Sequence, residues 1–165
     1  MALATGSMVI LPNWAKGWHK NHLLATQSCF TAEEEKLLTT LADAIIPAGG
    51  ENVGALSVGV DQFLIRLFSD CYEPDIQNKI KLQLSQINHK AMNNHQCSFD
   101  SCVRAQKMSI MEQFACANDQ EVQDTFQLIK SETIRGFRTS KKVMTEYLEY
   151  QVIPGHFNGC VEVNS

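Results

Sequence analysis

The chain has 165 residues, which suits a single domain and is long enough to bury a hydrophobic core. Hydrophobic residues make up 44% of it, which excludes the composition of a disordered chain. The 14 basic and 18 acidic residues give a formal net charge of −4, and no basic block or stripe stands out. This charge pattern argues against a nucleic-acid-binding protein and against a polybasic membrane-surface site.

From residue 31 onward the sequence predicts a series of helices. Thr31 and Glu34 form a capping box ahead of an apolar stripe, and Pro47 ends this first helix. The glycine-rich residues 48–57 are predicted to form a loop, with Ser57 capping the second helix. The second helix carries the clearest amphipathic stripe of the chain: Val60, Phe63, Leu64, Leu67, Phe68 and Cys71.

Four further helices are predicted. Pro74 suits the first turn of the third helix, whose apolar pattern breaks at residues 93–95. Residues 118–119 are the cap signal of the fifth helix, and Thr139 or Ser140 caps a short sixth helix. The fourth helix is expected to face inward through Val103, Ile110, Met111 and Phe114. The sixth is expected to pack through Val143, Met144, Tyr147 and Leu148.

No alternating β-branched run competes with these helices, so the predicted fold is an all-α, single-domain bundle of about five or six helices. The helical domain is predicted over residues 29–165, with an irregular C-terminal tail over residues 150–165. Residues 1–28 contain a short apolar run and are interpreted as the remnant of an export signal with its linker. The alternative is an ordinary N-terminal extension, since no basic segment or twin arginine precedes the run in this sequence.

Two groups of residues invite a chemical interpretation. The strongest metal-like cluster is His89, His95, Cys97 and Cys102. Its residue types suit zinc, but its spacing matches no common zinc site, so polar loop residues with two incidental thiols are favoured. Cys71 and Cys116 lie on apolar helix faces, where buried free thiols are expected.

A catalytic pair of His156 and Cys160 is disfavoured, because their spacing lies in a Gly/Pro loop that fixes no geometry. The chain also lacks a nucleophile elbow, a phosphate-binding loop and a dinucleotide fingerprint. We therefore expect no catalytic, cofactor-binding or metal-binding residues on this chain. This profile favours an interaction protein over an enzyme.

The tail is aromatic and apolar, is interrupted by Pro154 and Gly155, and carries Cys160 five residues from the C-terminus. A segment of this kind needs a cover, either its own domain or a partner protein. A thiol near a terminus can form a disulfide with another chain in an oxidising compartment. The alternatives are a free thiol or an intrachain bridge to Cys29 or Cys97.

Four sequence blocks, in order, resemble the gluconate 2-dehydrogenase subunit 3 family, the small or gamma subunit of membrane-bound sugar and sugar-acid dehydrogenases. The resemblance covers roughly residues 31–161. The four blocks are Leu41-Ala-Asp-Ala-Ile-Ile-Pro47, the segment 59–67, Thr133-Ile-Arg-Gly-Phe-Arg-Thr-Ser140 and the segment 150–160. The third block is similar to a "GYFTS" motif, and the fourth to a closing "PG" and "GC" pattern. Arg138 replaces the aromatic residue that is usual in the third block, and Val53 replaces a frequent proline.

The resemblance implies a non-catalytic, periplasmic subunit that supports the folding, stability and twin-arginine export of a large catalytic flavoprotein. That partner, of the glucose–methanol–choline type, would carry FAD and oxidise a sugar or glycoside. A further c-type cytochrome subunit often takes the electrons onward. The small subunit would hold no cofactor itself and would associate with the membrane only through the complex.

On this interpretation the tail contacts the flavoprotein, and Cys160 is the candidate for an intersubunit disulfide. The expected interface residues are Tyr150, Ile153, Pro154, Gly155, Phe157 and Cys160. Two other hypotheses stay open at this point. One is a stand-alone helical binding domain with the tail packed on its own surface, and the other is an enzyme built on the metal-like cluster.

Overall fold

The architecture is a set of six α-helices, described by a computed structural model over residues 28–50 and 52–151. In this part of the chain the only β-type pairing is one isolated bridge between Gly49 and Asn52. The predicted all-α bundle is therefore confirmed. The helices are α1 (Ala32–Ile45), α2 (Val60–Cys71), α3 (Pro74–His95), α4 (Arg104–Ala115), α5 (Gln120–Arg138) and α6 (Lys141–Glu146).

Most helix starts follow the predicted capping signals. The Thr31 hydroxyl accepts a hydrogen bond from the Glu34 amide at 3.3 Å, and the Glu34 carboxylate accepts one from the Thr31 amide at 2.8 Å. Pro74 is the first residue of α3. Asp119 caps α5 and Ser140 caps α6, each through its side-chain oxygen. These caps satisfy backbone amides that have no partner within the helix.

The predicted cap of α2 is wrong. Ser57 lies in a short 3₁₀ helix, Leu56–Val58, and its hydroxyl donates to the Gly54 carbonyl at 2.6 Å. Gly59 is the N-cap residue of α2, with a left-handed φ of 76° that glycine adopts without a steric penalty. The extra turn moves the start of α2 two residues beyond the position that the serine indicated.

The C-terminal end of α3 and the N-terminal end of α4 also differ from the prediction. α3 continues to His95 because its polar last turn is largely exposed, so nothing in the fold penalises asparagine there. It ends at Gln96, whose φ of 54° is left-handed. Val103 does not face inward; it is the N-cap residue of α4 and is 63% exposed.

The two cysteines expected to be buried are exposed. Cys71 is the last residue of α2, and Cys116 lies one position beyond the end of α4. Both continue the apolar periodicity of their helices, but the core does not reach these helix ends. Burial at a helix end depends on neighbouring elements, which periodicity does not specify.

The core lies among the first five helices. α3 packs against α1, α4 and α5, and α1 and α5 both pack against α2. The largest fully buried side chains include Leu38, Leu64, Phe68, Phe99, Ile80, Ile110 and Ile129. None of the helices in residues 28–50 and 52–151 combines the length and apolar character that a bilayer-spanning segment needs.

The short helix α6 lies at one end of the bundle, where it packs against α5 and the 3₁₀ helix. Its buried anchor is Val143, which is 5% exposed. The predicted C-terminal tail, residues 150–165, follows shortly after this helix.

Candidate functional site

A closed turn follows α6 and ends at Tyr150, the first residue of the predicted tail, which we call the root of the tail. The Leu148 amide donates to the Val143 carbonyl at 3.1 Å, and the Tyr150 amide donates to the Met144 carbonyl at 2.9 Å. Glu149 lies between them with a φ of 50°, a left-handed conformation that is uncommon for a non-glycine residue. The backbone around Tyr150 is therefore held by hydrogen bonds to α6.

The last helix and this turn expose large side chains. Tyr147, Leu148 and Tyr150 are each about half exposed, at 52%, 51% and 52%. The expectation that Tyr147 and Leu148 pack inward is wrong. A helix of six residues presents only one narrow face to the bundle, and Val143 occupies it. The remaining aromatic and aliphatic side chains form a surface beside the root of the tail.

An open groove runs between α5 and α6, next to this surface. Its volume is about 350 Å³, and its apolar lining comes from Ile134, Met144 and Leu148. Arg135 and Arg138 line it as well. We call this feature the α5–α6 groove. Ile134 is an apolar residue of α5 that lies outside the buried positions of this helix and is 37% exposed.

The two arginines of the groove differ in their partners. Arg135 forms an ion pair with Glu132 at 2.5 Å, and its guanidinium lies 5.7 Å from the centre of the Phe63 ring. Glu132 also accepts a hydrogen bond from the Tyr72 hydroxyl at 3.1 Å. Burial and the charge of Glu132 raise the pKa of Tyr72 above its ordinary value, so the hydroxyl keeps its proton. Arg138 has no ion-pair partner among the described residues and is exposed.

The six expected interface residues fall mostly beyond this region. Tyr150 is exposed at the root of the tail. The other five lie outside the described residues and remain predictions: Ile153, Pro154, Gly155, Phe157 and Cys160. His156, considered as a catalytic partner of Cys160, lies outside them too.

The metal-like cluster is not assembled as a site. Cys97 and Cys102 are in contact, with 2.7 Å between their sulfur atoms. His89 is exposed, and its ring Nδ1 is hydrogen-bonded to the Asn93 side chain at 3.1 Å. In the part of the chain that the structure describes, no three or more His, Cys, Asp or Glu residues are grouped to hold a metal ion.

The chain matches a known protein family. The sequence model of the family described as Gluconate 2-dehydrogenase subunit 3 matches residues 32–155. No curated protein and no solved structure shows a significant match to the chain. The matched span begins at the first residue of α1, includes all six helices and continues past the root of the tail. The chain therefore belongs to the gluconate 2-dehydrogenase subunit 3 family, whose name describes a subunit of a dehydrogenase complex.

Proposed function

We propose that this chain is the non-catalytic small subunit of a periplasmic, FAD-dependent sugar or glycoside dehydrogenase. Its partner is a large flavoprotein of the glucose–methanol–choline type, which binds FAD and oxidises the substrate. The small subunit supports the folding, stability and twin-arginine export of that partner. The observation that carries this proposal is the family match over residues 32–155, which takes in the entire described bundle.

The exposed surface beside the tail supports a protein partner. Tyrosine is enriched at protein interfaces, and the apolar core of such a contact is surrounded by polar and charged groups. The α5–α6 groove combines Ile134 and Leu148 with the positive charge of Arg138. Tyr147 and Tyr150 extend this surface to the root of the tail. If the tail beyond Tyr150 also contacts the partner, the two surfaces together form an interface of the large, obligate class.

The folding role follows from preferential binding. A subunit that binds the folded flavoprotein and not its unfolded chain stabilises the folded form by mass action. Because export by the twin-arginine route carries folded proteins, the same binding favours translocation of the assembled pair. A c-type cytochrome is the further expected partner, as the acceptor of electrons from FAD.

The folding role is tested by expressing the proposed flavoprotein partner with and without this chain. We expect the amount of soluble flavoprotein with bound FAD, read from its visible absorption, to fall severalfold without the small subunit. Equal amounts of FAD-loaded flavoprotein in both cultures would refute the folding role.

The surface is tested by charged substitutions in the same co-expression. Ile134→Asp and Leu148→Asp place a carboxylate in the α5–α6 groove and are expected to reduce recovery of the complex. Leu82→Asp is the matched control, because Leu82 is an equally apolar residue on α3 and is 60% exposed. Equal recovery with all three variants would contradict the assignment of the groove to the interface.

The proposed disulfide from Cys160 to the flavoprotein has a separate test. On a non-reducing gel, the wild-type complex is expected to run as one crosslinked band, and Cys160→Ser is expected to separate into two chains. Cys116→Ser is the matched control, since it removes an exposed thiol elsewhere. A stable wild-type complex without a crosslinked band would refute the disulfide and leave the subunit assignment standing.

A further inference from the structure

The loop between α3 and α4 brings two thiols together. The sulfur atoms of Cys97 and Cys102 are 2.7 Å apart. Cys102 is buried, at 5% exposure, and Cys97 is partly exposed. Because a disulfide has an S–S distance of about 2.05 Å, a small approach of the two sulfurs suffices for a bond.

Contacts that do not involve sulfur hold this loop in place. Phe99 is fully buried, and its amide donates to the Asn88 side-chain oxygen at 3.0 Å. The Lys107 ammonium lies 5.9 Å from the centre of the Phe99 ring. The Cys102 amide donates to the Ser98 carbonyl at 3.2 Å. The fold thus positions the thiols before any bond joins them.

The loop is also anchored just before Cys97 and between the two cysteines. On one side, Gln96 ends α3 in a left-handed conformation, and its amide donates to the Met92 carbonyl at 2.9 Å. Between the two cysteines, Asp100 forms an ion pair with Lys36 of α1 at 2.5 Å. These anchors restrict the conformations in which Cys97 could turn away from Cys102.

We propose that Cys97 and Cys102 form a redox-active intrachain disulfide that closes the α3–α4 loop. The oxidant is a small or protein disulfide, of the class of glutathione disulfide or an oxidised thiol–disulfide oxidoreductase. This inference goes beyond the proposed function and does not depend on it.

The exchange takes place in two steps. The Cys97 thiolate attacks one sulfur of the external disulfide, which forms a mixed disulfide and releases the first external thiolate. Cys102 then gives up its proton and attacks the Cys97 sulfur, which forms the internal bond and releases the second external thiolate. Two electrons pass from the protein thiols to the external disulfide, and the two thiol protons end on the released thiolates.

The two cysteines have different parts in this exchange. Cys97 is the thiol that an external disulfide can reach, because it is partly exposed. Cys102 is held below the surface, and burial together with the neighbouring Cys97 raises the pKa of its thiol to about 11. Cys102 therefore acts as the resolving thiol. Pairing also removes Cys97 as a candidate intrachain partner of Cys160, which leaves Cys29 or another chain.

One tryptic peptide reports on the pair. Residues 91–104, between the cleavage sites after Lys90 and Arg104, contain Cys97 and Cys102 and no other cysteine. The full chain is equilibrated in a mixture of oxidised and reduced glutathione, quenched in acid, denatured and alkylated. We expect this peptide to carry no alkyl group and to be lighter than the dithiol form by two hydrogen atoms.

The peptides that contain Cys71 and Cys116 are internal controls, because both thiols are exposed. They are expected to be alkylated in the same sample when reduced glutathione is in excess. A peptide 91–104 that carries two alkyl groups or two glutathione adducts across the range of mixtures overturns the proposal. A link from Cys97 or Cys102 to any other peptide overturns it too.

Two single variants test the order of attack. Cys102→Ala is expected to stop at a mixed disulfide between Cys97 and glutathione. Cys97→Ala is expected to leave Cys102 unmodified under the same conditions. Glutathione adducts at Cys102 that form as fast as those at Cys97 would contradict Cys97 as the attacking thiol. The wild-type peptide measurement remains decisive even if a variant folds poorly.

Discussion

The ring of Phe63 in α2 lies against the Cα atom of Gly136 in α5. A Cβ atom at position 136 would be 2.5 Å from Cδ1 of that ring, closer than real Cβ contacts come. Arg135 lies over the same ring, at 5.7 Å from its centre. The absence of a side chain at Gly136 therefore permits the close packing of α5 on α2, next to one wall of the α5–α6 groove.

This contact predicts that Gly136→Ala destabilises the protein. Overpacking costs about 1–3 kcal/mol, while replacing a helical glycine with alanine gains about 1 kcal/mol, so we expect a net loss of about 1 kcal/mol. In a Phe63→Ala background the ring is absent and the clash is removed, so the same substitution is expected to be neutral or stabilising. Urea unfolding of the four proteins measures the coupling, and an equal effect in both backgrounds would contradict the packing argument.

A second close approach occurs in the loop between α1 and α2. A Cβ atom at Gly54 would lie 2.4 Å from the backbone nitrogen of Ala48, which cannot move aside as a side chain can. We expect Gly54→Ala to lower the free energy of unfolding by roughly 1–3 kcal/mol. Gly49→Ala is the control, since nothing lies within 4 Å of a Cβ there. Equal losses in the two variants, measured by urea unfolding, would refute the role of the Gly54 contact.

The buried amide of Gln83 predicts a stabilising substitution. Gln83 is 2% exposed, and its Nε2 atom has no hydrogen-bond partner among the described residues. Because a buried unsatisfied donor costs about 1–3 kcal/mol, Gln83→Met is expected to raise the free energy of unfolding by about 1 kcal/mol. The exposed Gln127→Met should change stability by less than about 0.5 kcal/mol. A destabilised Gln83→Met protein would indicate that the amide has a partner after all.

The ion pair between α1 and the α3–α4 loop predicts a pH dependence. Hydrogen bonds from Lys36 and Ser98 lower the pKa of Asp100 from 3.8 to about 2. Since the folded-state pKa is depressed, the stabilisation is present above about pH 4 and is lost as the pH falls through about 2. The effect on overall stability is small because the pair is exposed.

This pKa is measured by NMR titration of the Asp100 carboxyl group. Lys36→Met is expected to return the Asp100 pKa toward its ordinary value. Lys79→Met, which removes a different ion pair with Glu121, should leave it unchanged. An Asp100 pKa that is insensitive to Lys36 would show that the ion pair does not form in solution.

The sequence predicted the features that depend on neighbours in the chain. The capping box at Thr31 and Glu34, the first turn at Pro74 and the cap at Asp119 each require groups only a few residues apart. The prediction that Ser57 caps α2 was wrong because a 3₁₀ turn intervenes and Gly59 becomes the N-cap residue. Serine is a common N-cap residue, so the sequence alone did not reveal this difference. The predicted burial of Cys71 was wrong because burial at a helix end depends on which other elements pack against that end.

The candidate site depended more strongly on tertiary structure. The apolar tail was visible in the sequence, but the α5–α6 groove arises only from how α6 packs on α5. That packing buries Val143 and leaves Leu148 half exposed, a distinction that their common helical spacing does not make. The contact between Cys97 and Cys102 likewise depends on the burial of Phe99, which fixes the loop between them.

The most direct test of the subunit assignment is purification of the tagged full chain after co-expression with the proposed flavoprotein partner. Size-exclusion chromatography with light scattering and flavin absorption then gives the mass and cofactor content of the species that contains the tag. We predict a complex of the two chains that carries FAD in the large subunit. A monodisperse monomer of the tagged chain, with no flavoprotein bound, would contradict the assignment and favour a stand-alone helical domain.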